Sequence, residues 1–243
     1  MRRAHARRAA FYRQFIAPSD LVFDVGANLG THSKVFRALG ARVVALEPGT
    51  HCAQVLKATF AGDAQFTLIQ AGASDAVGEA LLHLGSSTQL ATIDEAWMTR
   101  VNASGRFAGH WDHTETIRLT TLDAVIARHG VPSFAKIDVE GHEYHVVRGL
   151  SRPLNALSLE FASESIDSIA RCLAHLQSLS AYEYRLVLGD SVTFATPDWC
   201  RSEVVLQQLE QAAVRDPLVW GDLYARRDPH DVDRLYYVGL SMT

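Results

Sequence analysis

The segment FDVGANLG, residues 23–30, decides the fold because it places an acid and two glycines where a buried strand turns into a helix. The apolar residues 21–23 are typical of a strand, and residues 34–39 continue with helical spacing. Gly26 and Gly30 allow the backbone and a ligand to approach each other closely. The segment therefore predicts a strand, a ligand-binding turn and a helix in succession.

The same turn departs from the dinucleotide-binding pattern GxGxxG. Asn28 stands where that pattern has its middle glycine, which admits a pyrophosphate. The departure disfavours a dinucleotide and favours a nucleoside-like ligand without phosphates. S-adenosylmethionine is a ligand of this kind.

A second acid supports this interpretation. Residues 42–46 predict the next strand, which Glu47 follows. Glu47 comes about 20 residues after the turn that contains Gly26 and Gly30, called the glycine turn below, and this is the spacing at which an acid reaches ribose hydroxyls. The alternative is that Asp24 and Glu47 each merely cap a helix. Because both acids lie at strand ends with this spacing, the pair favours a cofactor site.

Length and composition predict one α/β domain over residues 1–243, since 48% of the residues are hydrophobic and the chain can bury a full core. A net charge of -4 gives no general attraction to phosphate backbones, so we expect no nucleic-acid partner. Five arginines within residues 1–20 predict a basic N-terminal helix that covers the cofactor cleft. A weak membrane or anionic-partner contact is the alternative for this helix.

Cysteine usage and hydropathy bear on the setting of the protein. Cys52, Cys172 and Cys200 are far apart and lack metal-ligand spacing, which disfavours a disulfide framework and a zinc site. We therefore expect a reducing, cytoplasmic setting, with Cys52 as a small core residue. No run approaches the roughly 20 apolar residues that span a bilayer, so no stable membrane insertion is expected.

Strand and helix signals alternate along the chain, which predicts a Rossmann-like, doubly wound and mostly parallel sheet. Gly189 and Asp190 have the character of a tight turn and predict an antiparallel C-terminal hairpin. Helices are expected at residues 121–129, with a threonine cap, and around the apolar stripe of residues 166–176. The predicted strands are residues 21–25, 42–46, 66–70, 134–138, 156–161, 182–188 and 192–195.

Residues 85–116 interrupt this alternation and are predicted to be irregular except for one helix. Thr92 and Glu95 fit a capping box at its start. Insertions of this length are usually lids or binding segments, so we expect part of substrate recognition here. His110, Trp111 and His113 either contact an acceptor or pack the lid.

The segment FAKIDVEGHE, residues 134–143, is the second informative feature because central parallel strands are normally apolar on both faces. Alternation along a strand directs Lys136, Asp138 and Glu140 to one side. Burying an unpaired ion costs several kcal/mol, so these charges must pair with one another or border a cleft. A purely structural ion-pair network is the alternative.

The position of these acids along the chain favours a cleft. Ligands of open α/β sheets bind beyond the carboxyl ends of the strands, near the switch in strand order. Asp24, Glu47, Asp138 and Glu160 each lie at or close to a predicted strand end. We therefore expect these four acids to rim one crevice.

In these segments the chain resembles the FkbM family of S-adenosylmethionine-dependent methyltransferases. The resemblance covers roughly residues 21–160, with a looser similarity at residues 220–226, and residues 85–116 show no match. The matching segments occur in the order of the family, and their combination is more specific than the glycine turn alone. They are FDVGANLG with His32 and Ser33, ALEP at 45–48, TLD at 121–123, and KIDVEGHE at 136–143.

The resemblance implies a class I methyltransferase fold and methyl transfer from S-adenosylmethionine to a hydroxyl oxygen of a sugar or secondary metabolite. It implies that Glu47 holds the ribose. The methionine part would lie against the glycine turn, and the adenine against the segment after the third strand. The cofactor-binding residues implied are Asp24, Gly26, Ala27, Asn28, Gly30 and Thr31 for the turn, and Gly72, Ser74 and Asp75 for the adenine.

A hydroxyl is a poor nucleophile until its proton can leave, so a positioned base is expected. The hypothesis is that Asp138 or His142 accepts the proton, although His142 could instead be a solvent-facing residue of the next helix. Lys136 and Glu140 would fix the local charge, and Glu160 would orient the acceptor. No metal site is predicted, and a divalent ion bridging Asp138 and Glu160 is the open alternative.

Two other functions fit the same sequence. One is a nucleotide-dependent oxidoreductase on the same sheet topology, which the missing glycine disfavours. The other is a catalytically silent binding module, which the intact charges of residues 136–140 disfavour.

Overall fold

The structure is a computed structural model that describes residues 2–106 and 111–228. Helices and strands alternate through most of the chain, as predicted. In chain order the elements are α1 (Arg2–Tyr12), β1 (Leu21–Val25), α2 (Thr31–Ala38), β2 (Arg42–Leu46), α3 (Thr50–Thr59), β3 (Phe66–Ile69), β4 (Gly72–Ala73), β5 (Gly78–Gly85), β6 (Ala91–Thr92), α4 (Glu95–Ser104), β7 (Trp111–Thr120), α5 (Leu122–His129), β8 (Phe134–Ile137), α6 (Glu143–Arg148), β9 (Ala156–Ala162), α7 (Ile166–Leu179), β10 (Tyr182–Leu188), α8 (Ser202–Arg215) and β11 (Trp220–Arg227).

The central sheet has seven strands in the order β10-β11-β9-β8-β1-β2-β3. Strands β9, β8, β1, β2 and β3 pair in parallel, and β11 is antiparallel to both of its neighbours. The carboxyl ends of β1, β2, β8 and β9 therefore meet at one edge of the sheet. The change of direction along the chain, from β3 back to β8, places the switch in strand order beside β1.

The predicted hairpin of residues 182–188 and 192–195 is wrong in its second strand. The partner of β10 is β11, with Tyr184 opposite Ala225, whereas residues 192–195 form no strand. A turn does follow at Gly189 and Asp190, as predicted. The chain after it folds onto the sheet because the Phe194 ring packs 5.5 Å from the Tyr224 ring.

Alternating side chains of the buried strands supply the two faces of the sheet. Phe23 and Val25 of β1 belong to one core cluster and Val22 to another. The first cluster lies against α5, α6, α7 and α8, and the second against α1, α2 and α3. This two-sided burial explains why the first strands are nearly continuous apolar runs.

Two predicted helices are confirmed in detail. Thr121 caps α5 by accepting a hydrogen bond from the Ala124 amide at 3.1 Å. Helix α7 buries the apolar stripe predicted within residues 166–176, which includes Ile169, Leu173 and Leu176.

Residues 85–116 are more regular than predicted, as far as the structure describes them. A second sheet, in the order β4-β7-β5-β6, contains β6 and most of β7 from this segment. The expected helix exists as α4, but its cap is Asp94, which accepts from the Trp97 amide at 2.8 Å. Thr92 instead donates its hydroxyl to the Glu140 carbonyl at 2.7 Å. His110 lies outside the described residues.

The N-terminal helix is shorter than the predicted residues 1–20, because α1 ends at Tyr12. Tyr12 is buried, and its hydroxyl lies 3.3 Å from that of Tyr224. This aromatic contact anchors the basic helix on the central sheet. In the described part of the chain, every helix is too short or too polar to cross a bilayer.

The cysteines are free, and Cys52 is buried in α3, as expected of a core residue. Its thiol donates to the side-chain oxygen of Asn28 at 3.5 Å. Burial raises the pKa of this thiol to about 11, so it is protonated at neutral pH.

Candidate active site

A cavity of about 980 Å³ opens at the carboxyl ends of the central strands. This volume is at the upper end of the roughly 300–1,000 Å³ that is typical of small-molecule sites. The glycine turn, Glu47 and the charged segment after β8 all line it. The crevice expected from the strand ends is therefore present.

The glycine turn is shaped by contact with the end of β8. Gly26 has a φ of +80°, and a Cβ atom there would overlap the carbonyl oxygen of Asp138. Asn28 also has a positive φ, 49°, which asparagine tolerates better than most residues. Ala27 and Thr31 line the cavity beside them. Gly30 is not part of the cavity lining, and a Cβ atom there would press against Leu56 and Phe60.

Asp24 supports the turn from within the protein. It is 2% exposed, and its carboxylate accepts the Ser33 hydroxyl at 2.6 Å. Burial raises the pKa of Asp24 to about 6, although the hydrogen bond from Ser33 opposes the rise. Asp24 is thus held by Ser33 beneath the turn, and its side chain is not part of the cavity lining, so its cofactor role stays a prediction.

Glu47 connects the turn to the next strand end. Its two carboxylate oxygens accept the amides of Asn28 and Gly49, each at 2.8 Å. It is 7% exposed and lines the cavity. Burial raises the pKa of Glu47 to about 7, against the lowering effect of both amides. The carboxylate is therefore fixed in place at the position expected for a ribose partner.

The segment after β3 divides between the cavity and its surroundings. Gly72 lines the cavity, whereas Ser74 and Asp75 lie against α6. The Ser74 hydroxyl is 3.1 Å from Nε2 of His142, and Asp75 is 3.2 Å from Nδ1 of His145. The prediction that Ser74 and Asp75 adjoin a cofactor therefore receives no support from their placement, because β4 pairs with β7 and turns the chain toward α6.

Lys136 is the centre of the charged cluster and is 2% exposed. Its ammonium lies 2.7 Å from the Asp138 carboxylate and 3.6 Å from that of Asp222. Burial opposes the charge of Lys136, but the two carboxylates outweigh it and hold its pKa well above the usual value. Burial likewise opposes the ionised form of Asp138, yet Lys136 keeps the pKa of Asp138 below its usual value. This pair is ionised at neutral pH.

Glu140 and Glu160 complete the cluster. One carboxylate oxygen from each, together with one from Asp138, all lie within 4.8 Å of one another. Burial, followed by repulsion from Asp138, raises the pKa of both glutamates well above the usual value. Lys136 and Asp138 are thus ion-paired, and Glu140 and Glu160 line the cavity with them, so the two predicted alternatives, pairing and a cleft, both occur.

His142 lines the same cavity as this cluster. It precedes α6, is half-buried, and stacks on His145 with ring centroids 4.4 Å apart. Burial, and then the neighbouring His145, lowers the pKa of His142 to about 4. Its ring is neutral at pH 7 and held by Ser74, so the fully solvent-facing alternative is wrong.

Glu143 has a structural role that the sequence did not reveal. It is 2% exposed, and one oxygen accepts the amides of Val139 at 3.1 Å and Gly141 at 3.3 Å. Burial raises its pKa to about 7. These contacts fix the loop that carries Glu140, whose φ is +54°. Its place in the KIDVEGHE segment was the signal that could have indicated this role.

Several other cavity residues were missed, one because its motif carried no assigned role and the others because they come from distant elements. His32 belonged to a matching motif without a role, and Trp220, Asp222 and Tyr224 lie on β11. Arg106 lines the cavity and joins Glu164 through hydrogen bonds of 2.9 and 2.8 Å. It also donates to the Leu218 carbonyl at 2.9 Å, which ties the end of α4 to the segment before β11.

Comparisons with known proteins agree with this architecture. A family model described as the methyltransferase FkbM domain matches residues 24–186. No curated protein shows a significant match to the chain.

Two methyltransferases are among the similar solved structures. Precorrin-6Y C5,15-methyltransferase from Geobacter metallireducens GS-15 is 11% identical, with a TM-score of 0.46, and the match covers 92% of this chain and 88% of that chain. Magnesium protoporphyrin IX methyltransferase (ChlM) from Synechocystis PCC 6803, solved with bound SAM, is 12% identical, with a TM-score of 0.44 and coverage of 93% and 79%.

The central sheet has the architecture that the resemblance implied, a mostly parallel class I methyltransferase sheet in which β11, the last strand in the described chain, is antiparallel to its neighbours. The family match extends from Asp24 at the end of β1 to the middle of β10, so it contains the glycine turn and the charged cluster except Asp222. This match spans more than half of the chain. The chain therefore belongs to the methyltransferase FkbM domain family and is an S-adenosylmethionine-dependent methyltransferase.

Proposed function

We propose that the protein transfers a methyl group from S-adenosylmethionine to a hydroxyl oxygen of a sugar or related secondary metabolite. The observation that carries this proposal is that one cavity contains both the glycine turn with Glu47 and the charged cluster of Lys136, Asp138 and Glu160. The first group suits a nucleoside, and the second suits a hydroxylated molecule. Both lie at the carboxyl ends of adjacent strands, where class members bind ligands.

The residues of the first group fit the cofactor. Glu47 presents a fixed carboxylate, and Gly26 and Ala27 present backbone at the cavity wall. The cavity lining also contains apolar side chains that suit the adenine, namely Leu46, Ala71, Ala73, Leu82 and Ile117. When bound, S-adenosylmethionine supplies a methyl carbon that is already activated by its sulfonium group.

The residues of the second group suit a sugar. Trp220 lines the cavity and is 39% exposed, which offers an aromatic face to the apolar side of a sugar ring. Glu160 and Asp222 are opposite each other in the β9–β11 register and can accept hydrogen bonds from hydroxyl groups. The net charge of -4 gives no field that would attract nucleic acid, so the proposed acceptor is a small molecule.

Asp138 is placed to orient the hydroxyl that reacts. Its backbone amide donates to the Val25 carbonyl at 3.0 Å, and Lys136 holds its side chain. Holding two reactants in attack geometry can supply effective molarities of about 10⁵–10⁸ M, so positioning is a large part of catalysis. Asp138 therefore fixes the hydroxyl oxygen, and Lys136 and Glu140 fix the charge around it.

The described part of residues 85–116 would enclose the acceptor. Thr88, Thr92, Trp97 and Arg106 of this segment line the cavity. The hydrogen bonds from Arg106 to Glu164 connect this segment to the residues that follow β9 of the central sheet. The segment thus serves as a lid that keeps water from the reacting atoms.

Replacing Glu47 tests the cofactor half of the proposal. Glu47→Gln is expected to weaken binding of S-adenosylhomocysteine by about 10- to 100-fold. The side-chain NH₂ of the glutamine would face one of the two backbone N–H groups, of Asn28 or Gly49, that now donate to the carboxylate. Isothermal calorimetry measures the change, and the exposed Glu79→Gln variant is the matched control.

The same calorimetry on the unaltered protein, with assay of methyl transfer to a panel of methyl hexosides, tests the function itself. Absence of binding refutes it, and tight binding without transfer to any hydroxylated compound favours a silent binding module.

Chelation tests whether the acidic cluster needs a metal ion. We expect methyl transfer to continue unchanged after dialysis against EDTA, because Lys136 pairs with Asp138 and the raised pKa values of Glu140 and Glu160 allow protons to balance their charge. Rates are compared before and after chelation and after addition of Mg²⁺. Loss of turnover that Mg²⁺ restores would show that these carboxylates hold a required ion.

A further inference from the structure

We propose that His32 is the catalytic base that accepts the proton of the acceptor hydroxyl. The inference rests on the proposed function, and it adds a residue that none of the sequence predictions placed in the chemistry. His32 lies in the first turn of α2, directly after the glycine turn, and it lines the cavity. It therefore stands between the region suited to the cofactor and the charged cluster.

The imidazole of His32 is held by aromatic neighbours on two sides. The Tyr12 ring of α1 meets it edge-on, with centroids 5.8 Å apart and planes at 83°. The Phe36 ring of α2 lies 6.1 Å away at 31°. These apolar contacts fix the position of the ring without occupying its nitrogens.

The ring nitrogens of His32 are free to meet a ligand. The imidazole is half-buried, and no hydrogen bond joins either nitrogen to a described residue. An unpartnered nitrogen at a cavity wall is therefore available to a hydroxyl group.

The charge state of His32 suits a base. Burial, then the Lys136 ammonium and the Arg8 guanidinium, lower the pKa of the imidazole well below its usual value, and Asp138 partly opposes them. The groups that face the ring are Arg8 and Tyr12 from α1 and Lys136 and Asp138 from the end of β8. The ring is consequently neutral at pH 7, with one nitrogen able to accept a proton.

The other candidates are less suited to accept the proton. The Asp138 carboxylate already accepts a hydrogen bond from the Lys136 ammonium at 2.7 Å, so its negative charge is held by that ion pair. His142 already contacts the Ser74 hydroxyl and stacks on His145. These contacts leave His32 as the cavity imidazole without a protein partner among the described residues.

The step balances with the groups already named. The hydroxyl oxygen forms a bond to the methyl carbon, the electron pair of the broken carbon–sulfur bond remains on the cofactor sulfur, and the hydroxyl proton passes to His32. The sulfonium charge is thereby replaced by the charge of the imidazolium. The nearby Asp138 carboxylate stabilises that imidazolium, since it raises the pKa of His32. The proton then leaves to water through the open side of the cavity.

The test compares His32→Gln with the exposed His51→Gln variant as the control. With the most active methyl hexoside, His32→Gln should lower kcat by about 100-fold, the lower range for a general base. Affinity for S-adenosylhomocysteine, measured by calorimetry, should stay within about threefold, and the control should match the parent protein in both measurements. The parent should lose kcat as the pH falls through the lowered pKa of His32, and this acidic limb should be absent in His32→Gln.

Three results would overturn the inference: unchanged kcat, an equal loss of cofactor affinity, or an acidic limb that persists in His32→Gln. NMR titration of the His32 imidazole in the S-adenosylhomocysteine complex provides a readout that needs no acceptor. We expect a neutral ring at pH 7, and a protonated ring also overturns the inference. If the parent protein methylates no hexoside, the proposed function fails, while the NMR result still decides the state of His32.

Discussion

Asp138→Asn is expected to lower kcat by about 10²- to 10³-fold, the loss typical of removing one preorganised electrostatic group from an active site. Affinity for S-adenosylhomocysteine is expected to stay within about threefold of the parent value. The separation is expected because the Asp138 side chain belongs to the acceptor half of the cavity, whereas Glu47 holds the other half.

The physical reason is the loss of a fixed negative charge. Asp138 lies 2.7 Å from Lys136 and presents an ionised carboxylate to the cavity. An asparagine keeps the size of the side chain but can neither hold the acceptor hydroxyl as strongly nor stabilise the imidazolium of His32. Lys136 keeps Asp222 as a partner at 3.6 Å, so the fold is expected to survive the substitution.

Single-turnover methyl transfer and calorimetry measure the two quantities separately. Asp112→Asn on β7 is the matched control, since this residue is exposed. A parent-like kcat in Asp138→Asn would remove the carboxylate from the chemistry. A loss of cofactor affinity as large as the loss of kcat would instead place Asp138 in the cofactor half.

Gly26→Ala should be the most destabilising single substitution in the glycine turn, with a loss of about 4 kcal/mol or more in the free energy of unfolding, a value reached only by severe steric or burial defects. The added Cβ would overlap the Asp138 carbonyl, which is backbone and is held in place by the hydrogen bond from the Asp138 amide to the Val25 carbonyl. Relief requires β1 and β8 to separate at their carboxyl ends. Cofactor affinity should therefore be lost together with stability.

Gly62→Ala is a matched control for this prediction. Gly62 has the same φ of +80°, but nothing lies within 4 Å of the position that a Cβ atom would take there. The control carries only the cost of a left-handed alanine, about 1–2 kcal/mol. Urea unfolding of both variants measures the difference. Equal losses would show that backbone conformation, and not the contact with Asp138, explains the requirement for glycine at position 26.

The fold was predictable where local sequence decides it. Strands β1 and β2 are short, largely apolar runs with an acid beside the last residue, Asp24 before it in β1 and Glu47 after it in β2, and the structure has both at the predicted bounds. The partner of β10 was not predictable in this way. Gly189 and Asp190 supply a genuine local turn signal, but pairing with β11 depends on contacts across more than 30 residues, and such tertiary contacts override a turn pattern.

The site follows the same division. Asp24, Glu47, Asp138 and Glu160 were predicted to rim one crevice because parallel strand ends meet at one edge, and all but the buried Asp24 line the cavity. Ser74 and Asp75, also predicted to bind the cofactor, lie outside the cavity lining, after a β4 that joins a second sheet which the sequence pattern did not indicate. Asp222 could not be assigned, since its contact with Lys136 exists only once β11 lies beside β9.

The position of β11 also affects how the protein forms on the ribosome. It is the last strand of the described chain, yet it lies inside the sheet between β9 and β10. Synthesis proceeds from the N-terminus, so the nascent chain contains the glycine turn well before Asp222 and Tyr224 emerge. Until then the facing edges of β9 and β10 are exposed to mispairing with other chains. Chaperone dependence during translation should therefore centre on the final strand.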